Sequence, residues 1–216
     1  MSDDVATDAP RSRRAELRRR RVVLAGHQGD AATARAALDD PDLAVQVAAV
    51  GALARLRALT TTDIAAALAH GEPEVRRRAV EAAPEVRGRG SRSTLPALVV
   101  GALDDGDALV VVGAAWFLAE RRYRPAVPAL AQTATSHADT RCREAAVAAL
   151  GAIGDPEGLP AVLAALGDKP TVRRRATVAL AGFDDPRVEP ALREAAADRD
   201  WQVRQAAGEL LDEPGT

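Results

Sequence analysis

Val75-Arg76-Arg77-Arg78-Ala79-Val80-Glu81-Ala82-Ala83 aligns, position for position, with Val172-Arg173-Arg174-Arg175-Ala176-Thr177-Val178-Ala179-Leu180. The same phrase begins again at Val45, Val110, Cys142 and Val203, and a degenerate copy begins at Leu17. The first positions lie about 28–35 residues apart, the period of a helical repeat array. Within the phrase, positions 1, 5, 8 and 9 are apolar or small, which is the i, i+4, i+7, i+8 stripe of a helix packed on neighbours. Position 2 is Arg in five copies (Arg18, Arg76, Arg143, Arg173, Arg204). An Arg there can reach the acidic turn of its own or the adjacent repeat and tie the two together.

Working outward, each phrase forms the second helix of a pair. The first helix opens on Leu95-Pro96-Ala97-Leu98, Val127-Pro128-Ala129-Leu130 or Leu159-Pro160-Ala161-Val162. Proline in a first helical turn forfeits no hydrogen bond. The turn between the helices is acidic: Asp39-Asp40-Pro41-Asp42, Asp104-Asp105-Gly106-Asp107, Ser136-His137-Ala138-Asp139, Asp198-Arg199-Asp200. Its last Asp stands three residues before the phrase, where it can cap the second helix and complement its dipole. Glu72 and Lys169 replace that Asp in two repeats, and Gly154 closes the helix of a third.

Composition limits what the array can do. The 216 residues are 47% hydrophobic but only 2% aromatic, and the net charge is −2. Small side chains allow close helix approach, and bulk charge does not mark a polyanion binder. The single cysteine, Cys142, excludes an intramolecular disulfide and a Cys-based zinc site, and its place in the phrase predicts a buried, inert thiol. The apolar run Ala108 to Ala119 is too short to span a bilayer and reads as a buried helix. With no apolar signal region at the N-terminus, a cytoplasmic location is expected.

The Pro-Ala-Val/Leu entry, the Asp-rich turn, the Val-Arg-x-x-Ala-x-x-Ala-Leu helix and Leu150-Gly151-Ala152-Ile153-Gly154-Asp155 resemble the HEAT-like repeats of phycobilisome lyases and of many bacterial scaffold proteins. The resemblance covers about residues 11–211. It implies an all-α fold: a right-handed α-solenoid of about six to seven HEAT-like repeats. The expected organisation is a disordered tail over 1–10, one solenoid over 11–211 with a basic loop at 84–94, and a C-terminal tail over 212–216. In relatives the second helices line the concave face, so positions 3, 4 and 7 would face the groove.

Those positions make Arg77, Arg78, Val112, Trp116, Arg174 and Arg175 the candidate partner-binding residues. Cationic pairs around an apolar centre suit an acidic or amphipathic protein segment, and Trp and Arg are the types that most often dominate such contacts. A secondary candidate is the loop, where Arg87, Arg89 and Arg92 alternate with Gly and Ser and could grip phosphate or an acidic peptide. Trp201 is expected to shield the C-terminal end of the core. The cationic first helix, Arg11 to Arg21, reads as a solenoid cap with a polar outer face. No catalytic or metal constellation emerges: no His-Glu pair of the kind HEAT-like iron hydroxylases use, no metal-ligand spacing among His27, His70 and His137, and no phosphate loop. No cofactor is expected. A non-catalytic scaffold for a protein partner is the leading expectation; nucleic-acid binding through the same arginines and a bilin-lyase-like role are the alternatives.

Overall fold

Each phrase lies on an α-helix, and most of those helices begin at an acidic cap. The computed structural model describes residues 5–88 and 94–212, with side chains from residue 12 onward. Thirteen α-helices and short 3-10 turns make up its regular structure, with no strand among the described residues. The fold is an α-solenoid of paired helices, as the phrase predicts. Its contacts group into two compact units, Met1–Leu95 and Pro96–Thr216, where the sequence leads one to expect a single array over 11–211. The division follows the 84–94 connection.

In the first unit α1 (Val5–Gln28), α3 (Leu43–Arg55) and α5 (Pro73–Ala82) carry the phrase and pack one on the next. Helix α2 (Ala31–Ala36) lies against α1 and α3, and α4 (Thr61–Leu68) against α5. Helix α1 begins at Val5, so residues 5–10, expected as a disordered tail, have helical backbone. Ala6 and Ala9 have high helix propensity. The degenerate phrase also departs from its pattern. Leu17 is 60% exposed and Leu24 is exposed too, while Ala15, Val22 and Ala25 are buried.

In the second unit α6 (Thr94–Val100), which starts at the boundary, leads into α7 (Ala108–Glu120). Then follow α8 (Val127–Ser136), α9 (Thr140–Ile153), α10 (Leu159–Ala165), α11 (Pro170–Ala179), α12 (Val188–Ala195) and α13 (Trp201–Asp212). Helices α7, α9, α11 and α13 stack in one layer; α8, α10 and α12 form the other, each packed on the second helix of its repeat. Phrase positions 1, 5, 8 and 9 are buried in α3, in α5 with Ala83 just beyond it, in α7, in α9, and in α11 with Leu180 just beyond it. Position 6 is buried as well (Val50, Val80, Ala115, Val147, Thr177), because these helices contact two neighbours in their own layer or pair.

The caps fall where the acids predict. Asp42 accepts the backbone N–H groups of Ala44 and Val45, Asp107 those of Leu109 and Val110, and Asp139 that of Arg141. Glu72 and Lys169 make no side-chain cap, and in both repeats the next residue is proline. A proline at the first helical position has no N–H to satisfy, so less is lost by omitting the cap. Cys142 is fully buried and its thiol donates to the Ala108 carbonyl at 3.5 Å. Burial, with Asp139 second, pushes that thiol up to about 11. Thiolate is the reactive form, so alkylation by iodoacetamide at pH 8 should be at least about 100-fold slower in the native protein than in the urea-unfolded chain. Equal rates would show Cys142 to be accessible.

Position-2 arginines join successive repeats. Arg18 donates through Nε and Nη2 to both oxygens of Asp40, at 2.7 and 3.0 Å. Arg143 does the same to Asp168 (2.6 and 2.8 Å) and Arg173 to Asp198 (2.8 and 2.8 Å). The remaining amine reaches back: Arg143 to the carbonyls of His137 and Ala138, and Arg173 to that of Asp168. Such bidentate pairs fix the angle between repeats as well as contributing energy. Where position 2 is not Arg, the turn ahead lacks the acid: Gln46 precedes His70, and Val111 precedes His137. In both, the imidazole Nδ1 accepts the backbone N–H two residues on, at 3.0 Å, the same bond that Asp40 and Asp198 accept with a carboxylate. An imidazole nitrogen thus closes the turn where the repeat before it has no position-2 arginine.

Candidate functional site

Positions 3, 4 and 7 of the phrase are half-buried or exposed in α7, α9 and α11, whereas in α13 Ala206, at position 4, is buried. Helix α7 is apolar all round, and its outer face leaves large apolar side chains exposed. Trp116 is 65% exposed and Leu109 48% exposed, with Val112 half-buried between them. Phe117, by contrast, is buried, so the adjacent aromatic serves the core and Trp116 does not. The run Ala108 to Ala119 is therefore only partly the buried helix that its composition predicts.

Beside this apolar wall, α9 presents Ala145, Ala148, Ala149 and Ala152, and beyond it α11 presents Arg175. Together they enclose a trough of about 490 Å3. Its depth comes from the alanines: a methyl floor lies between a wall of large apolar side chains and a wall carrying a guanidinium. Glu144 on α9 accepts from Arg175 Nη2 at 3.3 Å, and Arg141 at one end is held by Asp139 at 2.7 Å. Arg174 is exposed and makes no ion pair with any described residue. Of the residues singled out from the sequence, Val112, Trp116 and Arg175 meet at one site. Leu109, Arg141 and Ala152 join them; continuing the helical period from positions 4 and 7 backward to 0 and forward to 11 finds all three.

Arg77 and Arg78 belong to the first unit, where their surroundings differ. Arg78 lies over Gly51, whose missing Cβ makes room for the guanidinium, and pairs with Glu81 at 2.9 Å. Arg77 stands 3.6 Å from Glu74, and Arg19 bonds Glu16 at 3.0 Å. These are i, i+3 pairs within one helix, so each cationic charge is already answered locally. In the loop, Arg87 stands 3.7 Å from Glu85 and donates to the Pro84 carbonyl; Arg89 and Arg92 lie outside the described residues. Trp201 does not shield the end of the core: it is 61% exposed. It is the first residue of α13, and Val203, Ala206 and Ala207 take the inward positions instead. Among the described residues no group of three or more His, Cys, Asp or Glu side chains is placed to hold a metal ion, and no helix is long and apolar enough to cross a membrane.

The sequence model of the HEAT repeats family matches residues 61–140, 95–181 and 163–216. No curated protein matches the sequence. Among solved structures, YibA of Escherichia coli is similar at 20% identity and a TM-score of 0.59, over 80% of this chain and 66% of that one. The complex of CpcE and CpcF of phycocyanin lyase from Nostoc sp. PCC7120 is similar at 24% identity and a TM-score of 0.58, over 82% of this chain and 74% of that one. A designed armadillo repeat protein is similar at 19% identity and a TM-score of 0.57, over 82% and 96%. At these identities the likeness is one of fold.

Proposed function

Since the chain belongs to the HEAT-repeat family, we propose that it is a protein-binding scaffold that takes an acidic or amphipathic partner segment into the trough between α7, α9 and α11. One observation carries this reading. Trp116 and Leu109 stand exposed on one wall, with Arg175 exposed on the other side of an alanine floor. Large apolar side chains left in water cost free energy that a partner would recover by covering them. Trp and Arg at the centre of a concavity are the residue types that most often concentrate binding energy. Arg174 and Arg175 would meet partner carboxylates, and Val112 would extend the apolar contact. Arg77 and Arg78 take a lesser part, because Glu74 and Glu81 already pair with them.

The test is co-purification from the native host with mass spectrometry, comparing the wild-type chain with Trp116→Ala and Arg175→Glu. Each substitution is expected to weaken a specific partner by at least about tenfold, or about 1.4 kcal/mol, with helicity unchanged. A partner set that survives both would overturn the proposal. So would tight binding of arbitrary DNA or RNA at low salt that falls steeply with added salt, since that is the signature of phosphate neutralisation.

A further inference from the structure

We infer that the occupant of the trough is an amphipathic α-helix with an acidic edge, laid along α9, whose carboxylates take Arg175 over from Glu144. This rests on the reading of the trough as a protein-binding site and names the form and chemistry of its partner.

Backbone chemistry selects a helix over an extended segment. An extended chain exposes unpaired N–H and C=O groups along both edges and needs polar partners for them wherever water is excluded. The floor offers little: Ala145, Ala148, Ala149 and Ala152 present methyl groups, and apart from the Ala152 carbonyl in the last turn their own backbone is bonded within α9. No amide or hydroxyl side chain lines the trough, and the chain contains no asparagine. A helix brings its backbone already satisfied, and it can settle closely where the facing side chains are small.

The walls match a helix in spacing and in charge. Leu109, Val112 and Trp116 recur at i, i+3 and i+7, so they interleave with apolar residues spaced the same way on a partner. Seven residues rise about 10.5 Å, so two to three turns of partner cover the wall. The opposite edge of that helix meets Arg175, whose bond to Glu144 is half exposed. An ion pair of that exposure is weak and exchangeable. Glu144 thus holds the cationic wall and gives way when a partner carboxylate arrives.

The experiment uses the full chain with Trp201→Phe, which leaves Trp116 as the sole indole. The probes are two synthetic peptides of identical composition, about fourteen residues long. Each has leucines at i, i+3 and i+7 and glutamates along one flank, with a single proline at the N-terminus of one and at the centre of the other. Trp116 emission is expected to shift with the helix-competent peptide at a Kd at least tenfold below that of its isomer. Glu144→Gln should tighten that binding severalfold. Ala148→Leu, or Ala152→Leu at the exposed end of the floor, should weaken it by more than tenfold without changing the circular dichroism. Equal binding of both peptides overturns the helical occupant and leaves the trough a binding site. Binding of neither overturns it also, and co-purification with the Trp116 and Arg175 variants then decides the broader reading independently of any peptide.

Discussion

Replacing Arg173 by alanine is expected to destabilise the second unit by about 3 kcal/mol, because it leaves a largely buried carboxylate without its counter-charge. Arg173 is 5% exposed, spans both oxygens of Asp198 at 2.8 Å and donates to the Asp168 carbonyl at 2.9 Å. Its removal strands Asp198 and loosens two turns at once. For a chain of this length the loss corresponds to roughly 6–12 °C in melting temperature, read by circular dichroism. Arg193→Ala is the control. Its pair with Glu189 is exposed on one helix, and such pairs contribute about 0–1 kcal/mol. The same bonds leave a signature in acid. Hydrogen bonds from Arg143 and Arg173 hold Asp168 and Asp198 below the ordinary carboxylate range. A depressed folded-state value stabilises the fold above the unfolded value of about 3.9, and that contribution disappears as pH falls through the folded values. Stability measured from pH 6 down to pH 2 should therefore drop less steeply in Arg173→Ala than in the wild type. An Arg173→Ala protein that melts like the wild type would show that the arginine ladder does not set the stacking of these repeats.

Gly182→Ala is expected to cost more than an ordinary glycine replacement and to have the opposite sign from Gly208→Ala. A Cβ at 182 would overlap the Gly151 carbonyl oxygen and come within 2.9 Å of its carbon, and both are backbone atoms that cannot rotate away. A Cβ at 151 would lie 2.6 Å from the Cβ and 2.7 Å from the Cα of Ala179. Helices α9 and α11 touch nearly backbone to backbone here, and an added methyl forces them apart. Overpacking of this kind costs about 1–3 kcal/mol, with the larger end expected where the obstacle is main chain. Gly208, inside α13, has nothing within 4 Å of its would-be Cβ. Alanine there should stabilise by about 0.5–1 kcal/mol through helix propensity alone. Denaturant midpoints for the two variants should fall on opposite sides of the wild type.

The fold was legible because its code repeats. The buried stripe, the Asp caps and the reach of the position-2 arginines follow from local spacing: the stripe is buried in α3, α5, α7, α9 and α11, Asp caps α3, α7 and α9, and Arg18, Arg143 and Arg173 reach the acid of the next turn. The period fails at α1, where Leu17 and Leu24 are exposed. Position counting also cannot see pairing. The phrase gives Arg78 and Arg175 the same status, yet Arg78 rests on Gly51 beside Glu81, and Arg175 borders an open trough. Nor does it see that Asp40, not only the capping Asp42, matters to the turn, or that His70 and His137 stand in for an acid where no arginine reaches them. Trp116 was legible as facing outward. That it stands against an alanine floor depends on how α7 and α9 meet.

Two tryptophans, nearly equally exposed, allow the most direct test of the trough. Trp116 and Trp201 can be followed together by hydroxyl-radical footprinting of the chain, with and without the partner that co-purifies with it. Selective loss of labelling at Trp116, with Trp201 labelled as in the free protein, is the result expected if the partner sits between α7, α9 and α11. Unchanged labelling of Trp116 in a saturated complex would place the partner elsewhere and contradict the account.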